Sequence, residues 1–87
     1  MFEVFGFYKF KKLISLNKNK LFIQDFLIKK GIRGTVIIAK EGLNGTISGK
    51  TKDIRDVINK IKKIFSIKEF DNSNTSKSKF QPFHKPK

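Results

Sequence analysis

The stretch GIRGTVIIAKEGLNGTISG, residues 31–49, decides the fold of this chain. Four consecutive apolar residues, 36–39, are followed by the turn signal EGLNG at 41–45 and then by a short Thr-Ile-Ser run. Two β-forming runs joined by Asn-Gly and further glycines predict a β-hairpin. We therefore expect strand two over residues 33–40 and strand three over 46–48, with the glycines and the asparagine of the turn supplying positive φ angles.

The segments on either side of this hairpin predict two helices and two further strands. Aromatic residues over 3–10 predict strand one, with Phe5, Phe7 and Lys9 on one side of it. A first helix is expected over 21–30, with Asn17 as a plausible N-cap, an apolar stripe and Gly31 just after its end. The stripe consists of Phe22, Ile23, Phe26 and Leu27.

A second helix begins at Thr51, the residue we expect to cap it, and its apolar residues recur with helical spacing. These residues are Ile54, Val57, Ile58, Ile61, Ile64 and Phe65. Residues 67–70 predict a short fourth strand. The order β-α-β-β-α-β predicts an α+β, ferredoxin-like domain over residues 1–71, with strands one and three central in an antiparallel sheet and both helices on one face.

The composition changes after residue 71. Residues 72–87 are rich in Ser, Asn and Lys and contain both prolines of the chain. Such a segment buries little apolar surface, and we expect a flexible tail.

The charge suggests an anionic partner. The chain has 20 Lys and Arg against 7 Asp and Glu, a formal net charge of +13. Nucleic acid is the first candidate for such a surface. Only Arg33 and Arg55 are arginines, and the abundance of Lys, Ile, Asn and Phe is also what an AT-rich genome produces. Contacts are therefore expected with phosphates rather than with base edges.

The residues of catalytic chemistry are scarce. There is no cysteine, which excludes disulfides and thiolate sites and fits a reducing, cytoplasmic location. The single histidine, His84, lies in the tail without a partner at metal-ligand spacing. The carboxylates form no recognisable acid–base pair, and no apolar run reaches the roughly 20 residues that span a membrane. We expect no metal, no cofactor and no membrane association.

Two known families share this element order. RNA-recognition motifs stack bases on aromatics of strands one and three, but strand three here contains none. Acylphosphatases have a similar pattern of glycines along strands two and three. Their catalysis needs an Asn on strand two and an Arg-bearing, Gly-rich loop after strand one, and this chain has neither.

Another family fits more of the sequence. FYKF at residues 7–10, GIRGT at 31–35, AKEGLNGT at 39–46 and QPFHK at 81–85 resemble the N-terminal acylphosphatase-like domain of the UPF0176 rhodanese-related proteins, the tRNA uridine hydroxylases. The likeness implies an enzyme that adds a hydroxyl to carbon five of the tRNA wobble uridine with molecular oxygen. It also implies a following rhodanese-like domain with an essential Cys, so that the present residues would be a non-catalytic N-terminal piece.

The resemblance implies two partners, tRNA and the rhodanese-like domain. Candidates for phosphate contact are Lys9, Lys11, Arg33 and Lys40. Within the motif of Glu41, Gly42, Asn44, Gly45 and Thr46, the side chains of Glu41 and Asn44 are expected to position a nucleotide or brace the domain interface. The alternatives are a structural domain that packs on the rhodanese-like domain without touching RNA, or an acylphosphatase-type hydrolase.

Overall fold

The elements follow the order β-α-β-β-α-β, as the sequence predicts. A computed structural model describes residues 2–78. In chain order the elements are β1 (Phe2–Phe10), α1 (Leu16–Lys29), β2 (Arg33–Ala39), β3 (Gly42–Lys50), α2 (Thr51–Phe65) and β4 (Asn72–Ser78). The strands form one antiparallel sheet in the order β2-β3-β1-β4. The predicted ferredoxin-like arrangement is confirmed, with β1 and β3 side by side at the centre.

Helix α2 supplies the largest share of the buried core from one element. Ile54, Val57, Ile61 and Phe65 are buried, and burying each contributes roughly 1.5–3 kcal/mol. Ile58 and Ile64 pack against this core and are partly buried. The predicted periodicity is confirmed. Thr51 is the first helical residue rather than the cap, because Lys50 occupies the N-cap position in an extended conformation.

Helix α1 begins at Leu16, two residues before the start that a cap at Asn17 predicts. Ser15 takes the N-cap position with a positive φ of 54° and makes no side-chain capping hydrogen bond. Asn17 therefore lies in the first turn and is not the cap. The side-chain amide of Asn19 donates a 3.3 Å hydrogen bond to the carbonyl oxygen of Ile14. This bond helps to stabilise the first turn of α1. Gly31 follows the helix with a φ of 69°, as expected of a residue after the C-cap.

The fourth strand differs most from its prediction. Ile67 lies two residues beyond α2 and closes its C-terminal end, because its backbone N–H donates to the carbonyl oxygen of Lys62 at 2.8 Å. Phe70 packs its ring 4.9 Å from that of Phe7. The expected strand over 67–70 is therefore wrong, and so is the expectation of a flexible tail for residues 72–78, which pair with β1 instead. Residues 79–87, with His84 and the motif at 81–85, lie outside the described part.

The two faces of the sheet have different surroundings. Phe5, Phe7, Leu43 and Ile47 point toward the helices and are buried. The opposite side, called here the open face, is not covered by a helix. On β1 it carries Val4, Gly6, Tyr8 and Phe10, which alternate with the buried residues.

Candidate nucleic-acid interface

The hairpin between β2 and β3 turns more tightly than the sequence predicts. Ala39 pairs with Gly42, so Lys40 and Glu41 alone form the turn. Their side chains are exposed. Their carbonyl oxygens accept hydrogen bonds from the backbone N–H groups of Leu13, at 2.9 Å, and Lys11, at 3.0 Å. The segment after β1 thus fixes the hairpin tip and leaves the two side chains free to contact other molecules.

The glycines of the hairpin have different roles from those predicted. Gly42 has a φ of 150°, and a Cβ there would collide with the carbonyl oxygen of Lys9. Gly45 lies in regular strand β3, where a Cβ would be 2.7 Å from the carbonyl oxygen of Thr35. Asn44 also lies in β3 and has no positive φ. The predicted positive φ is therefore right for Gly42 and wrong for Asn44 and Gly45.

The middle of the open face is polar and uncharged. Gly6 has no side chain, and a shallow depression of about 460 Å³ forms around it. The side chains that surround it come from all four strands: Tyr8, Thr35, Ile37, Asn44, Thr46, Asn72 and Asn74. Asn44 and Thr46, both singled out from the sequence, are exposed here. Amides and hydroxyls of this kind offer hydrogen-bond donors and acceptors without fixing the charge of a ligand.

One corner of the open face is apolar. Phe10 is 74% exposed, Ile37 54% and Tyr8 38%. The rings of Tyr8 and Phe10 meet edge to face, with centroids 5.4 Å apart. A hollow of about 570 Å³ lies beside them and reaches Glu41 and Asn44 of the hairpin. Exposed aromatic side chains in a group are typical of surfaces that contact a partner.

Lys9 and Lys11, two of the predicted phosphate ligands, bond to groups in the loop between α2 and β4. Lys9 lies on the helix side of β1, and its Nζ is 3.2 Å from Oδ1 of Asp71. The Nζ of Lys11 donates a 2.7 Å hydrogen bond to the carbonyl oxygen of Ser66. Both ammonium groups therefore stabilise the loop between α2 and β4. A nucleic acid would have to share them with these partners.

The remaining two predicted ligands are far apart. Arg33 is the first residue of β2 and Lys40 follows its last residue, so about 20 Å of strand lies between them. Arg33 is half-buried on the open face beside Ser48. The structure therefore brings Lys9, Lys11 and Lys40 to the hairpin end of the sheet but leaves Arg33 at the other end.

Asp71 is a residue that the sequence analysis did not single out. Its Oδ2 accepts a 2.6 Å hydrogen bond from the backbone N–H of Phe10. This bond, together with the ammonium group of Lys9, lowers the pKa of the Asp71 carboxyl below its ordinary value. No local sequence signal indicates the pair, because these residues meet only when β4 joins the sheet.

Glu3 is a second residue whose role the sequence does not indicate. Its side chain is buried on the helix side of β1, and Oε2 accepts a 2.6 Å hydrogen bond from the hydroxyl of Thr75. The Nζ of Lys77 lies 3.6 Å from Oε1 of Glu3 and also donates a hydrogen bond to the hydroxyl of Thr51, at 3.4 Å. The cluster joins β1, β4 and the start of α2, so we assign it a structural role.

Residues 2–78 contain neither a metal-binding cluster nor a membrane-spanning helix. This part of the chain has no group of three or more His, Asp or Glu side chains arranged to hold a metal ion. None of its helices has the length and apolar character needed to cross a bilayer.

Known proteins share both the sequence and the fold. Residues 2–87 match the family described as the UPF0176 acylphosphatase like domain. All 87 residues align at 70% identity with the tRNA uridine(34) hydroxylase of Pelagibacter ubique (strain HTCC1062) and cover 29% of that protein. The tRNA uridine(34) hydroxylase of Anaplasma phagocytophilum (strain HZ) is 41% identical over 70 residues, which are 80% of this chain and 23% of that protein.

Solved structures support the fold. The acylphosphatase from Bacillus subtilis superposes on 99% of this chain and 94% of its own, with a TM-score of 0.65 and 11% identity. Full-length HypF superposes on 97% of this chain and 11% of its own, with a TM-score of 0.57 and 18% identity. At such low identity the likeness concerns the fold alone. The chain spans about three tenths of the length of the Pelagibacter ubique protein.

Proposed function

The chain belongs to the UPF0176 acylphosphatase-like domain family, and from this premise we propose that it is the substrate-binding or adaptor domain of a cytoplasmic tRNA-modifying enzyme. The enzyme's reaction would be the oxygen-dependent 5-hydroxylation of the tRNA wobble uridine. The reacting groups would belong to a rhodanese-like domain, and this domain would hold the tRNA for it. The observation that carries the proposal is the 70% identity, over all 87 residues, with a protein named tRNA uridine(34) hydroxylase.

The surface chemistry supports a contact with RNA. The net charge of +13 favours association with a polyanion. The exposed Lys40 lies at the tip of the hairpin, and the exposed side chains of Asn44 and Thr46 follow along β3 on the open face. Lys9 and Lys11 lie at the same end of the sheet, and Arg33 extends the basic surface at the far end. We propose that Lys40 contacts a phosphate and that Asn44 positions the adjacent nucleotide.

A hydrolase of the acylphosphatase type receives no support from the same surface. Strand β2 reads RGTVIIA and contains no asparagine. The segment between β1 and α1 reads KKLIS and contains neither arginine nor glycine. The groups that would bind and attack an acyl phosphate in such an enzyme therefore have no counterparts at these positions. Hydrolysis of an acyl phosphate by the purified chain would contradict this conclusion.

The experiment for RNA contact is a titration of the chain with an unmodified tRNA transcript at 50 and 200 mM salt. Phosphate contacts predict tight binding at low salt that weakens steeply as salt rises. Lys40→Glu should weaken binding at low salt, and Asn44→Ala should weaken it without changing the salt dependence. No binding at low salt, or binding that salt does not affect, would contradict a phosphate contact.

The apolar corner of the open face favours a second candidate, an adaptor that packs on the rhodanese-like domain. Tyr8, Phe10 and Ile37 form an exposed apolar group that RNA contact does not require. The test is an NMR titration of the chain with the Pelagibacter relative lacking this domain. Packing predicts shifts centred on the backbone amides of Phe10 and Ile37, which Phe10→Ser would abolish. Shifts confined to other surfaces would contradict this candidate.

A further inference from the structure

The helix layer contains a groove that is separate from the open face of the sheet. It runs between α1 and α2 and has a volume of about 300 Å³. Its walls combine one aromatic ring with three lysines, one carboxylate and one amide: Phe26, Lys30, Asp56, Asn59, Lys60 and Lys63. A groove with this composition attracts an anion that also has an apolar part.

Lys60 is held over aromatic rings rather than extended into solvent. Its Nζ lies 5.6 Å from the ring centroid of Phe26 and 5.8 Å from that of Phe22. An ammonium group within about 6 Å of a ring face is attracted by the electrons of the ring. Phe22 is 50% exposed, so part of its ring is open to a ligand that approaches Lys60.

The charges of the groove are not balanced. Asp56 pairs with Lys30, whose Nζ lies 3.0 Å from Oδ2. Within residues 2–78, no carboxylate lies within 4.0 Å of the ammonium groups of Lys60 and Lys63. The groove therefore has two cations without an acidic partner, one turn apart on α2 and next to a half-exposed aromatic ring.

We propose that this interhelical groove binds single-stranded RNA, an inference that rests on the proposed function and names a binding site for it. A phosphodiester lies between Lys60 and Lys63, and the base next to it stacks on the exposed part of Phe22. Phosphate contacts alone would accept any nucleic acid. The aromatic ring selects an unpaired base, because bases within a duplex are already stacked on each other.

The test of the phosphate contact is a fluorescence anisotropy titration of the 87-residue chain with labelled oligouridylate and with a tRNA transcript. Lys60→Glu combined with Lys63→Glu should weaken the binding of both at least tenfold. The control combines Lys12→Glu with Lys68→Glu, which change the net charge equally at exposed positions outside the groove. The control should weaken binding less than threefold. Equal losses in the two double variants would overturn the proposal.

The salt dependence gives a second measure of the same contact. Lys60→Ala combined with Lys63→Ala should reduce the slope of log affinity against log salt by about 1.4, since each phosphate contact to a single strand contributes about 0.7. An unchanged slope would overturn the two phosphate contacts. Circular dichroism should show that each variant keeps the fold, because neither lysine belongs to the buried core.

Phe22→Ala tests the stacking and distinguishes single strands from duplexes. We expect at least fivefold weaker binding of oligouridylate and no change for an RNA duplex of equal length. Equal effects on both, or no effect on either, would overturn the stacking. If the wild-type chain binds neither tRNA nor oligouridylate, the RNA contact of the proposed function fails. If wild-type binding is strong and the groove variants match their control, only the groove assignment fails.

Binding to acidic membranes is the alternative for a basic surface with exposed apolar residues. Vesicles containing 30% phosphatidylserine distinguish the two. Binding to vesicles that Lys60→Glu with Lys63→Glu abolishes, with unchanged binding of oligouridylate, would overturn the proposal in favour of a lipid surface.

Discussion

The backbone N–H of Phe10 and the carboxylate of Asp71, 61 residues apart in the chain, form a 2.6 Å hydrogen bond that ties the end of β1 to the start of β4. One residue earlier, Lys9 pairs with the other oxygen of the same carboxylate. The backbone N–H of Asp71 also donates a hydrogen bond to the carbonyl oxygen of Tyr8, at 2.9 Å. Asp71 therefore sets the register with which β4 joins the sheet.

Asp71 should make stability depend on pH below about 4. The N–H of Phe10 and the ammonium of Lys9 lower the pKa of Asp71 in the folded state below its ordinary value of 3.8. A carboxyl of this kind stabilises the fold above its unfolded pKa, and the stabilisation is lost as pH falls through the folded pKa. Urea unfolding between pH 7 and pH 2 should show this loss, and Asp71→Asn should make it smaller. Asp25→Asn, which removes an exposed carboxylate paired only with Lys29, is the control.

Gly45→Ala should destabilise the chain although its backbone conformation is ordinary. The new Cβ would lie 2.7 Å from the carbonyl oxygen of Thr35 and 3.0 Å from Cζ of Phe7. Forcing an extra methyl into such a space costs about 1–3 kcal/mol of unfolding free energy. Gly6→Ala is a matched control, because its Cβ would meet only the side chain of Asn74, at 3.1 Å. Urea titration of both variants tests the difference, and equal losses would contradict the steric explanation.

Ile61→Ala should destabilise the fold strongly. Ile61 is 1% exposed and lies between α2 and the sheet. Removing its side chain leaves a cavity and should lower the unfolding free energy by about 2–5 kcal/mol. Ile14→Ala, at a residue that is 73% exposed, should change it by less than about 0.5 kcal/mol. A similar loss for the two variants in thermal unfolding would contradict the assigned burial.

Thr75→Val tests whether β4 lies in the sheet as described. Its hydroxyl donates to the buried carboxylate of Glu3, and the isosteric valine would leave that oxygen without a partner. We expect a loss of about 1–3 kcal/mol in unfolding free energy. Ser76→Ala, at the next residue of β4 on the opposite face, should have little effect. No loss for Thr75→Val would mean that β4 does not pair with β1 in this register.

The sequence predicts the fold from two strong patterns. The regular spacing of isoleucines identifies α2 because a helix must bury one continuous stripe. The apolar run before the glycine-rich turn identifies β2 and the hairpin. Element order then leaves few possible sheets, since crossover connections are right-handed.

Strand β4 could not be predicted in the same way. Its sequence, NSNTSKS, contains a single residue that favours strands, Thr75, and it is the pairing with β1 that makes it a strand. Ile67 and Phe70 are apolar residues of the kind that favours strands. In the structure, Ile67 belongs to the buried core and Phe70 packs against it. Pairing across 60 or more residues leaves no local signal.

The candidate site was predicted only in part. The exposure of Lys40, Asn44 and Thr46 agrees with their expected availability for a ligand. The ion pair of Lys9 and the hydrogen bond of Lys11 could not be anticipated, because their partners follow α2 in the chain. The placement of Lys60 over two rings of α1 depends on how the helices pack, which periodicity does not specify.

The two outer strands of the sheet differ in how they would meet another copy of the chain. Within residues 2–78, β4 and β2 each pair on one side only. Residues 72–77 of β4 are polar and exposed, so a second strand gains little by docking there. Strand β2 has valine and two isoleucines at its centre, a composition that favours the growth of a sheet. The mutual repulsion of highly charged copies opposes this growth, and concentrated salt, which screens that repulsion, should make β2 the point at which the protein begins to self-associate.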